Sequence, residues 1–244
     1  MPGRVRWPHI AAGSNGWKGR AVAALQLFVM LKSMSTTDKI RWSGEVLGVQ
    51  PRIRLMRSFD ERSHAYMGYV LFMRGDAKGE EREFTVGIGP AAQAKHGFRA
   101  GDRVTGIAVP VADARIEPVM FYKSSALQMT HRPAAPRPPA PPWQDAPPGL
   151  PVYRERGHRR LAANTWESTC RGCIWGCRMP VELTPDSWKR NEHEYRIETF
   201  CYGPKSCALY RAGPTRTVPG RGGMAWEEDD AVEAEYVGHR GPDD

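Results

Sequence analysis

Nine of the chain's 21 prolines fall within one short stretch, residues 132–151. Proline carries no backbone N–H and its ring holds φ near −65°, so such a stretch supports neither a helix nor a sheet ladder. It predicts an extended polyproline spacer of about 3 Å per residue. A chain of 244 residues is long enough for one or two domains. The spacer divides it into an amino-terminal extension 1–39, a folded region 40–129, a linker 130–153, a second folded region 154–226 and a tail 227–244.

Charge follows the same division. The chain holds 35 Lys and Arg against 27 Asp and Glu, a net +8. Residues 1–226 carry +15 and residues 227–244 carry −7. A basic body suits polyanions or anionic surfaces. The acidic tail reads as exposed and mobile, and as able to fold back on the body and compete with a polyanion. On that reading, removing 227–244 strengthens nucleic-acid binding at low salt. No apolar run reaches the ~20 residues of a membrane-spanning helix, and no heptad pattern or repeat of solenoid length is present. Residues 21–31, behind Arg4, Arg6, Lys18 and Arg20, are similar to a signal peptide. Two features favour instead a start at Met34 and a reducing, cytoplasmic location. Lys32 stands directly before the one small-residue site, and the cysteines have metal-type spacing. Counted from Met34 the net charge is +3, which moves the weight of the functional reading from charge to motifs.

Residues 40–57 alternate as one long, bent strand. Leu47, Val49, Ile53 and Leu55 share the inward parity, and Arg52 and Arg54 the outward one. Further strands read at 64–74, 81–89, 103–111 and 117–124. Between the third and fourth, Pro90 opens a short helix to His96 that Gly97 closes. Three strands, a short helix and two strands resemble the OB-fold, over about a third of the chain. The resemblance implies a mainly β fold with a five-stranded barrel, which takes oligonucleotides, oligosaccharides or proteins on the face of strands 2 and 3. Arg52, Arg54, Tyr66, Phe72, Arg74 and Lys123 are the nucleic-acid contact candidates there, because rings stack on bases and cations track phosphates. Tyr66 and Tyr69 differ in parity, so at least one belongs to the core. A basic cluster after the linker adds Arg156, Arg159 and Arg160 to the candidates.

All five cysteines lie close together: Cys170, Cys173, Cys177, Cys201 and Cys207. Cys170-x2-Cys173 is a knuckle spacing, in which a tight turn lets two thiolates share one metal edge. Cys201 and Cys207 supply the other edge. Residues 179–184 and 195–200 read as a hairpin between them. Knuckles on a hairpin resemble a zinc ribbon, a small module held by a four-thiolate zinc site at about 2.3 Å per sulfur. Such a site is structural, since it leaves no open coordination position. The gap of five between Cys201 and Cys207 is longer than the usual second knuckle, and Cys177 is a fifth, alternative ligand. The triplet Cys170, Cys173 and Cys177, completed by Cys201 or Cys207, is compatible with a [4Fe-4S] cluster. His158 or His193 could replace one thiolate. Trp175 and Phe200 are expected to pack around the site.

The chain has no P-loop, dinucleotide fingerprint, nucleophile elbow or H-E-x-x-H pattern. The expectation is a non-enzymatic, metal-binding protein with a structural zinc that binds nucleic acid, the aromatic and cationic set suiting single strands. An iron–sulfur accessory protein and a protein-interaction adaptor are the alternatives.

Overall fold

The computed structural model describes residues 39–59, 61–134, 140–186, 188–189 and 192–243. The readings of a leader at 21–31 and a start at Met34 lie outside them, as do residues 135–139 of the proline stretch. β1 (Ile40–Ser58) is the strand on which the rest is built. It pairs antiparallel with β2 (Arg62–Ala77) along most of its length. Its first half also pairs with β4 (Arg103–Pro110), and its end runs parallel to β7 (Gly176–Thr184). β2 continues to β3 (Glu80–Ile88), which meets β5 (Phe121–His131) in a parallel bridge at Val86 and Phe121. β5 pairs back to β4, so five strands close a ring in the order β1-β2-β3-β5-β4. α1 (Pro90–His96) lies between β3 and β4. Gly97 ends it at φ 56°, and its N–H donates to the Gln93 carbonyl at 2.7 Å. That is the left-handed cap glycine adopts without steric cost.

The interior follows the alternation of β1, with one correction. Trp42, Val46, Val49, Ile53 and Leu55 are buried in the core, whereas Leu47 is only half-buried and packs on the cysteine side. The pairing register slips between Val46 and Gly48. A bulge inserts one residue and reverses the parity on either side of it. The fifth strand is the larger difference: it begins at Phe121 instead of 117 and runs on to His131. Lys123 and Ala126 take positive φ within it and its register to β4 shifts repeatedly, so no clean alternation marks it in the sequence.

The second folded region is joined to the first through one sheet. β7 and β8 (Glu194–Cys201) form the expected hairpin, and β6 (Arg159–Arg160) adds to its far edge. Lys39–Asp244 is a single compact unit. Residues 143–148 of the proline stretch, read as a spacer, are bonded to the ring and to the cysteine turn. The Tyr69 hydroxyl donates to the Pro148 carbonyl at 2.8 Å, and the Ile174 N–H donates to the Trp143 carbonyl at 2.8 Å. α2 (Leu150–Arg156) follows, pinned by buried Tyr153, whose hydroxyl donates to the Ile174 carbonyl at 2.8 Å. Polyproline needs no partners within itself, so its carbonyls are available to neighbouring donors.

The tail also differs from expectation. β9 (Arg216–Pro219) and β10 (Ala225–Glu228) form a hairpin, and α3 (Ala163–Thr165) and α4 (Asp230–Val237) complete the helices, α4 being capped by the Asp229 carboxylate. Glu228 is buried against Arg57 at 2.7 Å, and Glu233 against Arg160. The acidic segment does fold back on the basic body, but as packed structure held by buried ion pairs.

Candidate metal centre and basic surface

α3 runs on as a π-helical turn, Trp166–Cys170, and leaves the Cys170 carbonyl at its end. The Cys173 N–H donates to that carbonyl at 3.0 Å, which closes the knuckle turn. Cys201 ends β8, opposite Gly176 of β7, and the Gly203 N–H donates to its sulfur at 3.3 Å. Cys207 follows a second turn, its N–H donating to the Pro204 carbonyl at 3.2 Å. Cys170, Cys173 and Cys201 share a hydrophobic cluster with Phe72, Leu161 and Trp166. Trp175 packs against that cluster, as expected, while Phe200 belongs to the main core.

Burial raises the pKa of three of these thiols. Burial pushes Cys170 up to about 11, with Cys201 and Cys207 adding to the shift. Burial pushes Cys173 up to about 12, raised further by Cys201 and Cys170 and opposed by hydrogen bonds from the backbone of Trp175 and Trp143. Cys201 is also raised by burial, against the Gly203 N–H and the Arg159 guanidinium. All five cysteines are free thiols. Among the described residues, no group of three or more His, Cys, Asp or Glu side chains is arranged to hold a metal ion. Cys170, Cys173 and Cys201 thus share one apolar cluster without forming a coordination shell.

Cys177 stands apart. It is fully buried in the main core, its sulfur 3.4 Å from the Pro51 carbonyl, and its neighbours are Tyr66, Tyr153 and Tyr202. The triplet Cys170, Cys173 and Cys177 is thus divided between two cores. The histidines are elsewhere too. His158 stacks edge-on against Phe200 at 4.2 Å and faces His64 at 5.1 Å. His193 lies beside Glu182 at 3.3 Å, at the end of the hairpin remote from Gly176 and Cys201.

The basic candidates do not converge on one face. Phe72 is buried beneath Trp166, with ring centroids 6.0 Å apart and Arg171 above it at 5.6 Å. The cysteine turn therefore covers part of the outer surface of β2. Arg160 is 1% exposed and engages Glu233, Asp230 and the Glu228 carbonyl. Arg159 is buried over the Tyr210 ring at 3.8 Å and donates to the Pro204 carbonyl at 2.8 Å. As contact residues, Phe72, Arg159 and Arg160 are corrected to packing residues, because desolvated groups already paired have nothing to offer a phosphate or base. Arg156 donates to the Tyr202 carbonyl at 2.7 Å and lies over Trp175 at 4.6 Å. Arg52 and Arg54 pair with Glu117 at 3.6 Å and Glu182 at 3.1 Å. Tyr66 is half-buried under Arg154 at 4.9 Å. Arg74 and Lys123 remain exposed, Arg74 beside Glu83 at 3.0 Å.

Sequence reasoning missed Gln50, which is buried at the knuckle turn, and Trp143, whose backbone supports it. No spacing rule could have linked Gln50 to cysteines 120 residues away. No family model, curated protein or solved structure matches the chain. No described helix is long and apolar enough to cross a membrane.

Proposed function

We propose that the chain is a non-enzymatic metal-binding protein. Cys170, Cys173, Cys201 and Cys207 hold one structural zinc ion, and an OB-like ring binds single-stranded nucleic acid. The observation that carries the metal reading is the shared cluster of Cys170, Cys173 and Cys201, with backbone donors facing Cys173 and Cys201. Without a cation, buried thiols resist ionisation; a bound dication reverses that balance and makes thiolates the stable form. Bound zinc would supply charge and a cross-link between the knuckle and β8. Metal analysis of protein purified without oxygen tests this. About one zinc per chain in colourless protein is the expected outcome. A brown protein containing iron would assign the same thiols to an iron–sulfur cluster, and a chain with neither metal would end the reading.

The nucleic-acid part rests on the ring's strand order and on the exposed cations Arg74 and Lys123. Binding to a single-stranded oligonucleotide should weaken with salt, and Arg74→Glu with Lys123→Glu should lower the salt slope by about one per lost phosphate contact. A second reading, a protein-interaction adaptor, is favoured by exposed Phe59, Trp188, Met224 and Trp226, with Trp188 82% exposed. Absence of any mobility shift at about 50 mM salt would put that reading first.

A further inference from the structure

Gln50 lies on β1 just after the bulge, with Val49 turned into the ring core and Gln50 turned outward beneath the cysteine turn. It is 1% exposed. Its Nε2 donates to the Cys170 carbonyl at 2.7 Å and stands 3.1 Å from the carbonyls of both Arg171 and Cys173. Its Oε1 accepts from the Trp166 indole N–H at 3.2 Å. The last carbonyls of a helical turn have no partner within it and need one from outside. One carboxamide therefore satisfies the end of the turn Trp166–Cys170 and the corner that carries Cys173. Backbone fit is close on both sides. A Cβ on Gly48 would stand 2.6 Å from the Gly172 Cα, and a Cβ on Gly176 would stand 2.5 Å from Gln50 Nε2.

We infer that Gln50 is the positioning residue of the thiolate centre: a ring side chain that fixes the backbone of Cys170-x2-Cys173 so that its two sulfurs turn toward Cys201 and Cys207. The inference rests on the reading that these four thiols bind a metal. It makes metal affinity a property of the ring as well as of the cysteine region. Asn is one methylene too short to span the same gap, Met fills the volume without donors, and Glu keeps the acceptor for Trp166 while losing the donors.

The full chain, reduced and handled without oxygen, is titrated with Co(II), and Zn(II) affinity is measured by competition with a chromophoric chelator. Wild type is read first: thiolate-to-cobalt charge transfer and tetrahedral ligand-field bands are expected. Loss of both signals in wild type would overturn the metal reading itself. With wild type binding, Gln50→Met and Gln50→Glu should weaken Zn(II) affinity about ten- to hundred-fold, the size typical of lost support behind a ligand, and should alter the ligand-field bands. Trp166→Phe, which frees the carboxamide oxygen, should shift both readings in the same direction by less and serves if the Gln50 variants fold poorly. Unchanged affinity and unchanged cobalt bands in variants that melt earlier would overturn the inference, because a merely structural residue lowers stability without reshaping the metal's ligand field.

Discussion

Cys173 and Cys177 are four positions apart in sequence, yet one shares a cluster with Cys170 and Cys201 and the other is buried in the main core with Tyr153 and Tyr202. Cys177→Ala should keep the full metal content and cost only about 1 kcal/mol, the scale of a small core cavity. Cys173→Ser should abolish metal uptake; elemental analysis of both proteins separates them. Buried His158 and half-buried His64 set a pH dependence. Burial holds His64 down to about 4, reinforced by Arg62 and Arg57 and opposed by Glu228. Burial holds His158 well below its usual value, with His64, Arg62, Arg216 and Arg57 adding to the effect. In the unfolded chain both titrate near 6.5. The unfolded state therefore binds more protons between those limits. Stability present above pH ~6.5 falls as pH drops toward about 4, by about 1.4 kcal/mol per pH unit for each histidine. Urea unfolding from pH 7 to pH 4.5 should give that slope, and His64→Phe should flatten it; identical slopes would acquit His64.

β1 joins the two halves of the molecule by its length. Its first half closes the ring with β4, and its last residues, Leu55 to Ser58, pair with β7. The sequence made this strand legible because Val49, Ile53 and Leu55 alternate with arginines. The same alternation misplaced Leu47, because a bulge costs one residue and leaves no compositional mark. The cap at Gly97 and the hairpin of β7 and β8 were also legible, being set by local chemistry. β5 was not, because its bulged backbone breaks the period that would have announced it. At Gly48, β1 touches the cysteine turn directly. Gly48→Ala should destabilise the fold by about 1–3 kcal/mol, as overpacking does, and should loosen the knuckle; chemical denaturation with thiol titration measures both.

Across the whole molecule, one sheet and one set of buried ion pairs bind segments that composition separates. Arg57 and Glu228 are each nearly inaccessible, and Arg160 meets Glu233 from the carboxy-terminal helix. Removing one partner of such a pair leaves an uncompensated buried charge, at a cost of about 3–5 kcal/mol. Deletion of 227–244 should therefore unfold or aggregate the protein, visible as lost cooperative melting, rather than sharpen its binding to a polyanion. Glu228→Gln should lower stability in the same direction by less than the deletion. The competition idea is better tested at Glu227 and Glu235, which are exposed. Charge-neutral variants there should leave the melt unchanged, and any gain in oligonucleotide affinity then belongs to the tail's charge.

By itself the sequence determined the mainly β character, the order of the first five strands and the capped helix between them, and the clustering of the thiols. These depend on alternation, turn chemistry and spacing, all of which act over a few residues. Tertiary structure alone decided that Cys177 is separated from Cys170, Cys173 and Cys201, that Gln50 braces the cysteine turn, that residues 143–148 of the proline stretch pack on the fold, and that Phe72, Arg159 and Arg160 are packing residues. Each of those outcomes depends on contacts between residues far apart in the chain, where burial and pairing outweigh any local preference.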